Sequence, residues 1–166
     1  MTRRTFSLAA AMALSTLSIS ASAQAPLERA VVSAAQAEAI IDGALAEASE
    51  RDLQVSIVVV DPAGDIVAAH RMDGSGPVFF DVAHRKAYTS AVFRTPSSNI
   101  ENNVVTGLDG SGKFWGSIVL DNVMPRQGAL PIMHQGAVIG AVGTSGATPQ
   151  EDELVSQAGL DAIAAN

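Results

Sequence analysis

Val55 to Val60 reads VSIVVV, and every residue in it except Ser56 is β-branched and apolar. No polar alternation marks a solvent-facing side, so the run predicts a largely buried strand. Pro62-Ala63-Gly64-Asp65 follows. Proline presets its φ and glycine accepts a positive one, which turns the chain back. Ile66 to Met72 is the returning strand, so the two segments form a β-hairpin that the other elements must help to bury.

Helical punctuation surrounds this hairpin. Ser33 with Gln36 makes a capping box, and Ala39, Ile40, Ala44, Leu45 and Ala48 share a face, which predicts a helix from about Ala34 to Arg51. Gly74-Ser75-Gly76-Pro77 breaks the chain before a helix over Val78 to Phe93, and Pro96 ends that helix. Ser97 or Ser98 caps a short helix through Val104. Thr106 to Gly116 is Gly-rich and contains the single tryptophan, Trp115. It reads as a loop leading to a strand near Ser117 to Leu120. Leu130 to His134 and Ala137 to Thr144 flank the two-residue turn Gln135-Gly136 as a second hairpin. Thr148 with Glu151 repeats the capping box, with Pro149 at the first helical position of a helix to about Ala164. The order α-β-β-α-α-β-β-β-α predicts an α+β fold: an antiparallel sheet with helices over one face.

The N-terminus reads as an export signal. Arg3 and Arg4 precede an apolar stretch from Leu8 to Ile19, and cleavage is expected after Ala23 or Ala25. Such a stretch is shorter than the ~20 residues a bilayer span needs. Thr2-Arg3-Arg4-Thr5-Phe6 partly matches a twin-arginine signal, so both export routes stay open. The expected organisation is a leader over 1–23 and one domain over 30–166, in a periplasmic or secreted protein. Losing Arg3 and Arg4 with the leader takes the net charge from −7 to −9. That charge argues against nucleic acid and anionic membranes as partners. The chain has no cysteine, which excludes disulfides, c-type haem attachment and thiolate metal sites. A metal would have to be held by histidine, carboxylate, methionine or hydroxyl groups.

Candidate chemistry concentrates in two short segments. His70, Arg71 and Asp73 end the second strand, with His70 and Met72 on one face and Arg71 and Asp73 on the other. They can form a pocket rim, or simply an Arg71–Asp73 ion pair beside a surface histidine. His84, Arg85 and Lys86 follow on the second helix. Asp81 and Arg85 are spaced for an ion pair, whereas Lys86 falls on the packed side and needs a partner there. His134 reads as a surface histidine. The loop Gly107 to Lys113 lacks the phosphate-loop pattern, and neither Gly-x-Ser-x-Gly nor His-Glu-x-x-His occurs.

Taken in order, VSIVVVDPAGDIVAAHRMDG, DVAHRKAYTSAVF, GALPI, AVIGAVGTSGATPQEDE and QAGLDAI resemble the haem-binding HbpS/GlcG family, which includes the C-terminal domain of PduO-type proteins. The resemblance implies a profilin-like, five-stranded antiparallel sheet flanked by helices. It also implies homo-oligomers and, in some members, binding of haem, cobalamin-like tetrapyrroles or iron. Gly128-Ala129 stands where the family usually has Gly-Gly, and Ser145-Gly146-Ala147 where it has Ser-Gly-Gly, each adding a methyl group near an expected ligand wall or subunit contact.

Three functions are compatible with these residues. An exported protein could hold haem or another tetrapyrrole non-covalently, with Arg71, Arg85 or Lys86 on the propionates and His70 or His84 on iron. A metal-independent isomerase, dehydratase or hydrolase of a small oxo-acid could use His84 or Lys86 as acid or base, Asp73 or Asp81 to orient it, and Arg71 as a carboxylate clamp. An oligomeric interaction module needs no active site. The first two expect His70–Asp73 and His84–Lys86 to meet around one cavity with a small-molecule ligand.

Overall fold

The computed structural model describes residues 28–106 and 120–164. Eight elements occur in it: α1 (Ala34–Glu50), β1 (Ser56–Val60), β2 (Ile66–Arg71), α2 (Pro77–Phe93), α3 (Ser97–Thr106), β3 (Ala129–His134), β4 (Ala137–Ser145) and α4 (Pro149–Ala164). The leader and the Gly-rich loop lie outside the described residues. So does the expected strand at 117–120, except Leu120, which sits in a bend.

The described sheet has four antiparallel strands in the order β2-β1-β4-β3. Helices cover both of its faces, not one. Ile57, Val59 and Val142 pack with Ile40 and Ala44 of α1 and Val155 of α4. Val58 and Val60 point the other way, against Ala83, Ala87 and Ala91 of α2. All five residues of β1 are therefore buried, which is what an apolar run without alternation requires. Burying each such Val or Ile contributes ~1.5–3 kcal/mol. Among the described residues no helix is long and apolar enough to cross a membrane.

The caps form as the sequence predicts. Ser33 accepts from the Gln36 N–H, and the Gln36 side chain accepts from the Ser33 N–H. At α4 the Glu151 carboxylate accepts from the Thr148 N–H and hydroxyl, and Thr148 accepts from the Glu151 N–H. The bond from the Thr148 hydroxyl holds the Glu151 carboxyl below its ordinary value. In the β3–β4 turn Gln135 and Gly136 both take positive φ (49° and 79°), the geometry of a type I′ hairpin.

One ion pair ties the two helical layers together around the sheet. Lys86 of α2 is 2 % exposed. Its Nζ donates to Asp152 Oδ2 of α4 (2.7 Å) and to the Thr144 carbonyl of β4 (3.1 Å). Asp152 Oδ1 accepts from the Ala147 N–H (3.0 Å). Beside the pair, the Thr144 hydroxyl meets Ser156 Oγ and Ser156 donates to the Gly128 carbonyl, both at 2.9 Å. Burial pushes the Asp152 carboxyl above its ordinary value, against the pull of Lys86. Gly128 has a φ of 130°, and a Cβ there would lie 2.7 Å from Lys86 Nζ and 2.9 Å from Asp152 Cβ. Only glycine fits. Gly143 is needed for closeness instead, since its Cβ would lie 2.5 Å from the Ala83 carbonyl of α2. The extra methyl of Ala129 is fully buried beside this cluster, where its N–H donates to Ser97 Oγ (3.0 Å), so it walls no open ligand site.

Lys86→Met should destabilise the fold by about 3–5 kcal/mol in urea unfolding, because it strands a buried carboxylate, and Lys86→Met/Asp152→Leu should recover most of that loss. A carboxyl raised in the fold favours the protonated, low-pH side, and removing Lys86 raises Asp152 further. The deficit of Lys86→Met should therefore be largest near about pH 8 and shrink toward about pH 5. An unchanging deficit would contradict the assigned pair.

Candidate functional site

The register decides which candidate residues can meet. His70 pairs across the hairpin with Ile57, so it faces the α1/α4 side, whereas Arg71 pairs with Ser56 and faces the α2 side. His70, Arg71 and Asp73 are all exposed. Arg71 Nη1 reaches the Ser75 carbonyl at 3.4 Å rather than Asp73, and Ser75 is joined by its hydroxyl to Ser56 (2.9 Å). This end of β2 adjoins the start of α2.

His84 lies at the other end of the hairpin. From Pro77, α2 runs back along the sheet, and seven residues at ~1.5 Å each carry it about 10 Å to the β1–β2 turn. There His84 Nε2 donates to the Gly64 carbonyl (3.1 Å). A carbonyl only accepts, so this nitrogen is the donor. Ile66 and Arg71 are separated by ~16 Å at about 3.3 Å per residue. Among the described residues the two segments are not brought together as expected: His84 lies by the β1–β2 turn, Lys86 is taken up by Asp152 and Thr144, and the sheet itself separates His70 from His84.

The cations of α2 are engaged. Arg85 pairs with Asp81 (3.0 Å), as its spacing predicts, and donates to the Asp121 carbonyl (3.0 Å). Lys86 is 2 % exposed, and its ammonium is engaged in the buried pair described above. Among the described residues no group of three or more His, Cys, Asp or Glu side chains is placed to hold a metal ion.

A cleft lies at the hairpin-turn end of the sheet. It has a volume of about 630 Å³ and is lined by Pro62, Val92, Met133 and Val138 together with Arg29 and Arg94. That volume lies within the ~300–1,000 Å³ usual for small-molecule sites. His84 is not among its lining residues; it is linked to the cleft through the β1–β2 turn, where Gly64 accepts its Nε2–H and Pro62 lines the cleft. A second groove of about 330 Å³ runs between β3 and α4 past His134 and Leu160. Arg29 and Arg94 escape a sequence reading centred on clustered charges. The available signal was the isolation of each: Arg29 on an irregular segment before α1, and Arg94 just before Pro96 at a helix end. Asp152 was hidden within Gln150-Glu151-Asp152-Glu153, which resembles an ordinary solvated helix start.

Residues 32–161 match the family described as "Haem degrading protein HbpS-like". Protein GlcG of Escherichia coli strain K12 is 32 % identical over 115 residues, covering 69 % of this chain and 81 % of that protein. The crystal structure of Klebsiella pneumoniae protein ORFY superposes with a TM-score of 0.78 at 23 % identity, covering 86 % of this chain and 97 % of that one. A crystal structure of a PduOC–haem complex superposes with a TM-score of 0.73 at 22 % identity, covering 80 % and 95 %. Both structures share the fold.

His84→Ala should lower stability by about 1 kcal/mol through loss of the bond to Gly64, while His70→Ala should stay within about 0.5 kcal/mol of the parent in the same denaturant titration. Equal losses would contradict the placement of the two rings.

Proposed function

This chain belongs to the HbpS-like family, and from that premise we propose that it is an exported protein that binds haem or a related tetrapyrrole non-covalently. The observation that carries the proposal is the family match over residues 32–161, which spans every element of the fold. The printed description of that family names haem, and a relative of the same fold has been crystallised with haem bound. The residues present suit such a ligand. The cleft at the hairpin-turn end combines apolar walls with two guanidinium groups, as an apolar macrocycle with acidic side arms requires. The absence of cysteine excludes thioether attachment of haem. Bound iron porphyrin would supply one-electron and oxygen chemistry, which the side chains of this protein do not provide.

Of the two imidazoles proposed for iron, His84 is favoured over His70. It is half-buried, and its ring is oriented by the carbonyl of Gly64, in the same turn as the cleft-lining Pro62. His70 is exposed at the far end of β2. Export is proposed from the Arg3-Arg4 leader and its small-residue cleavage site. Assembly into homo-oligomers is proposed alongside it: β2 pairs with a strand on one side only among the described residues, so its other edge is open to a second copy.

Titration of the mature protein with hemin tests the reading. A saturable Soret band at one equivalent per chain supports it, and His84→Ala should shift that band while His70→Ala leaves it in place. Non-saturable absorbance, equal to that of hemin on an unrelated acidic protein, would refute haem binding.

A further inference from the structure

Arginine and lysine are the minority charges here, ten against seventeen acids. In such a chain every cation can find an anionic neighbour at little cost. Arg51, Arg85, Lys86 and Arg126 do so, pairing with Glu47, Asp81, Asp152 and Glu101. Arg71 donates to the Ser75 carbonyl. Two described cations remain, Arg29 and Arg94, and neither has an ion pair among the described residues. They come from segments about 65 residues apart and line the same cleft. No aspartate or glutamate is among its lining residues.

The backbone supplies an independent observation at Arg94. It ends α2 in the left-handed region, at φ 57° and ψ 40°. Helices usually place glycine there, because a Cβ makes that conformation costly. Strain of this kind gathers at functional positions. Here it directs the chain out of α2 at the cleft edge, and a long cationic side chain occupies the position where glycine would be easier.

Resting on the tetrapyrrole reading, we propose that Arg29 and Arg94 form a carboxylate clamp that receives the two acidic side arms of the bound macrocycle at the hairpin-turn end of the sheet. Pro62, Val92 and Val138 add apolar contact that a flat macrocycle can use and a simple inorganic anion cannot. A flat apolar body that carries carboxylates can use both these residues and the two arginines. Arginine suits this role through its fork of donors, which matches a carboxylate in a bidentate arrangement.

The test uses metal-free protoporphyrin, which removes iron ligation from the readout, together with its dimethyl ester, which removes the carboxylates. Each is titrated by absorbance into the mature protein and into Arg29→Gln, Arg94→Gln and the double variant. Binding of the diacid should weaken about tenfold per arginine lost, its salt dependence should diminish, and ester binding should stay unchanged. Arg94→Gly adds a check on folding. It should melt at or above the parent temperature, since glycine relieves the left-handed backbone, yet bind the diacid as weakly as Arg94→Gln. Saturable binding of the diacid that is indifferent to both arginines would overturn the clamp and leave the tetrapyrrole reading standing. Equal weakening of diacid and ester would also overturn it, by showing that the arginines shape the cleft and do not hold carboxylates. Failure of the parent protein to bind hemin or protoporphyrin would overturn both.

Discussion

A lysine and an aspartate withdrawn from water hold this architecture in place. Lys86 sits on the helix covering one face of the sheet and Asp152 on a helix covering the other, so their contact at 2.7 Å closes the two layers around β4. Such a pair costs much desolvation, which is why burial pushes the Asp152 carboxyl upward even with Lys86 beside it. The geometry offsets that cost. The carboxylate lies in the first turn of α4, where the helix dipole favours negative charge, and it accepts from the Ala147 N–H. The ammonium also donates to the Thr144 carbonyl. An apolar pair could stabilise the fold as well, but it would not dictate that this turn of α2 meets this turn of α4. The contact therefore sets position, and Gly128 is confined to glycine by the space the pair occupies.

That fixed position determines what the protein can present to a ligand. With α2 locked at Lys86, His84 two residues before it sits against the Gly64 carbonyl, and Arg94 about two turns after it lines the cleft. The cleft proposed for the ligand is thus built from two hairpin turns, the last turn of α2 and the segment that leads into α1. The tip of β2, where His70, Arg71 and Asp73 gather in sequence, points elsewhere.

Much of this fold is legible in the amino-acid order because it rests on local chemistry. Ser33 with Gln36 and Thr148 with Glu151 mark helix starts within a few residues, and Gln135-Gly136 marks a hairpin by its backbone preferences. The placement of α2 is less legible. A strand reading VSIVVV contains no alternation, so it states that both sides are covered without naming what covers them. Lys86 is visible in sequence as an anomaly, a cation on a packed face, but Asp152 lies 66 residues away and no local pattern connects them. The expected meeting of His70–Asp73 with His84–Lys86 has the same origin. Closeness along the chain suggests closeness in space, whereas the return of α2 carries His84 to the β1–β2 turn and commits Lys86 to the buried pair with Asp152. Arg29 and Arg94 were hidden for the opposite reason, being distant in sequence and solitary in charge, and they become noticeable only once every other described cation has been paired.

The placement of the ligand at the hairpin-turn end is tested most directly by backbone amide NMR of the mature protein with metal-free protoporphyrin added stepwise. Saturable shift changes are expected at Arg29, Ala30, Val92, Arg94, Ala137 and Val138, with the amides of His70, Arg71 and Asp73 unmoved. Changes confined to 70–73, with the cleft residues silent, would contradict the arrangement and move the site to the tip of β2.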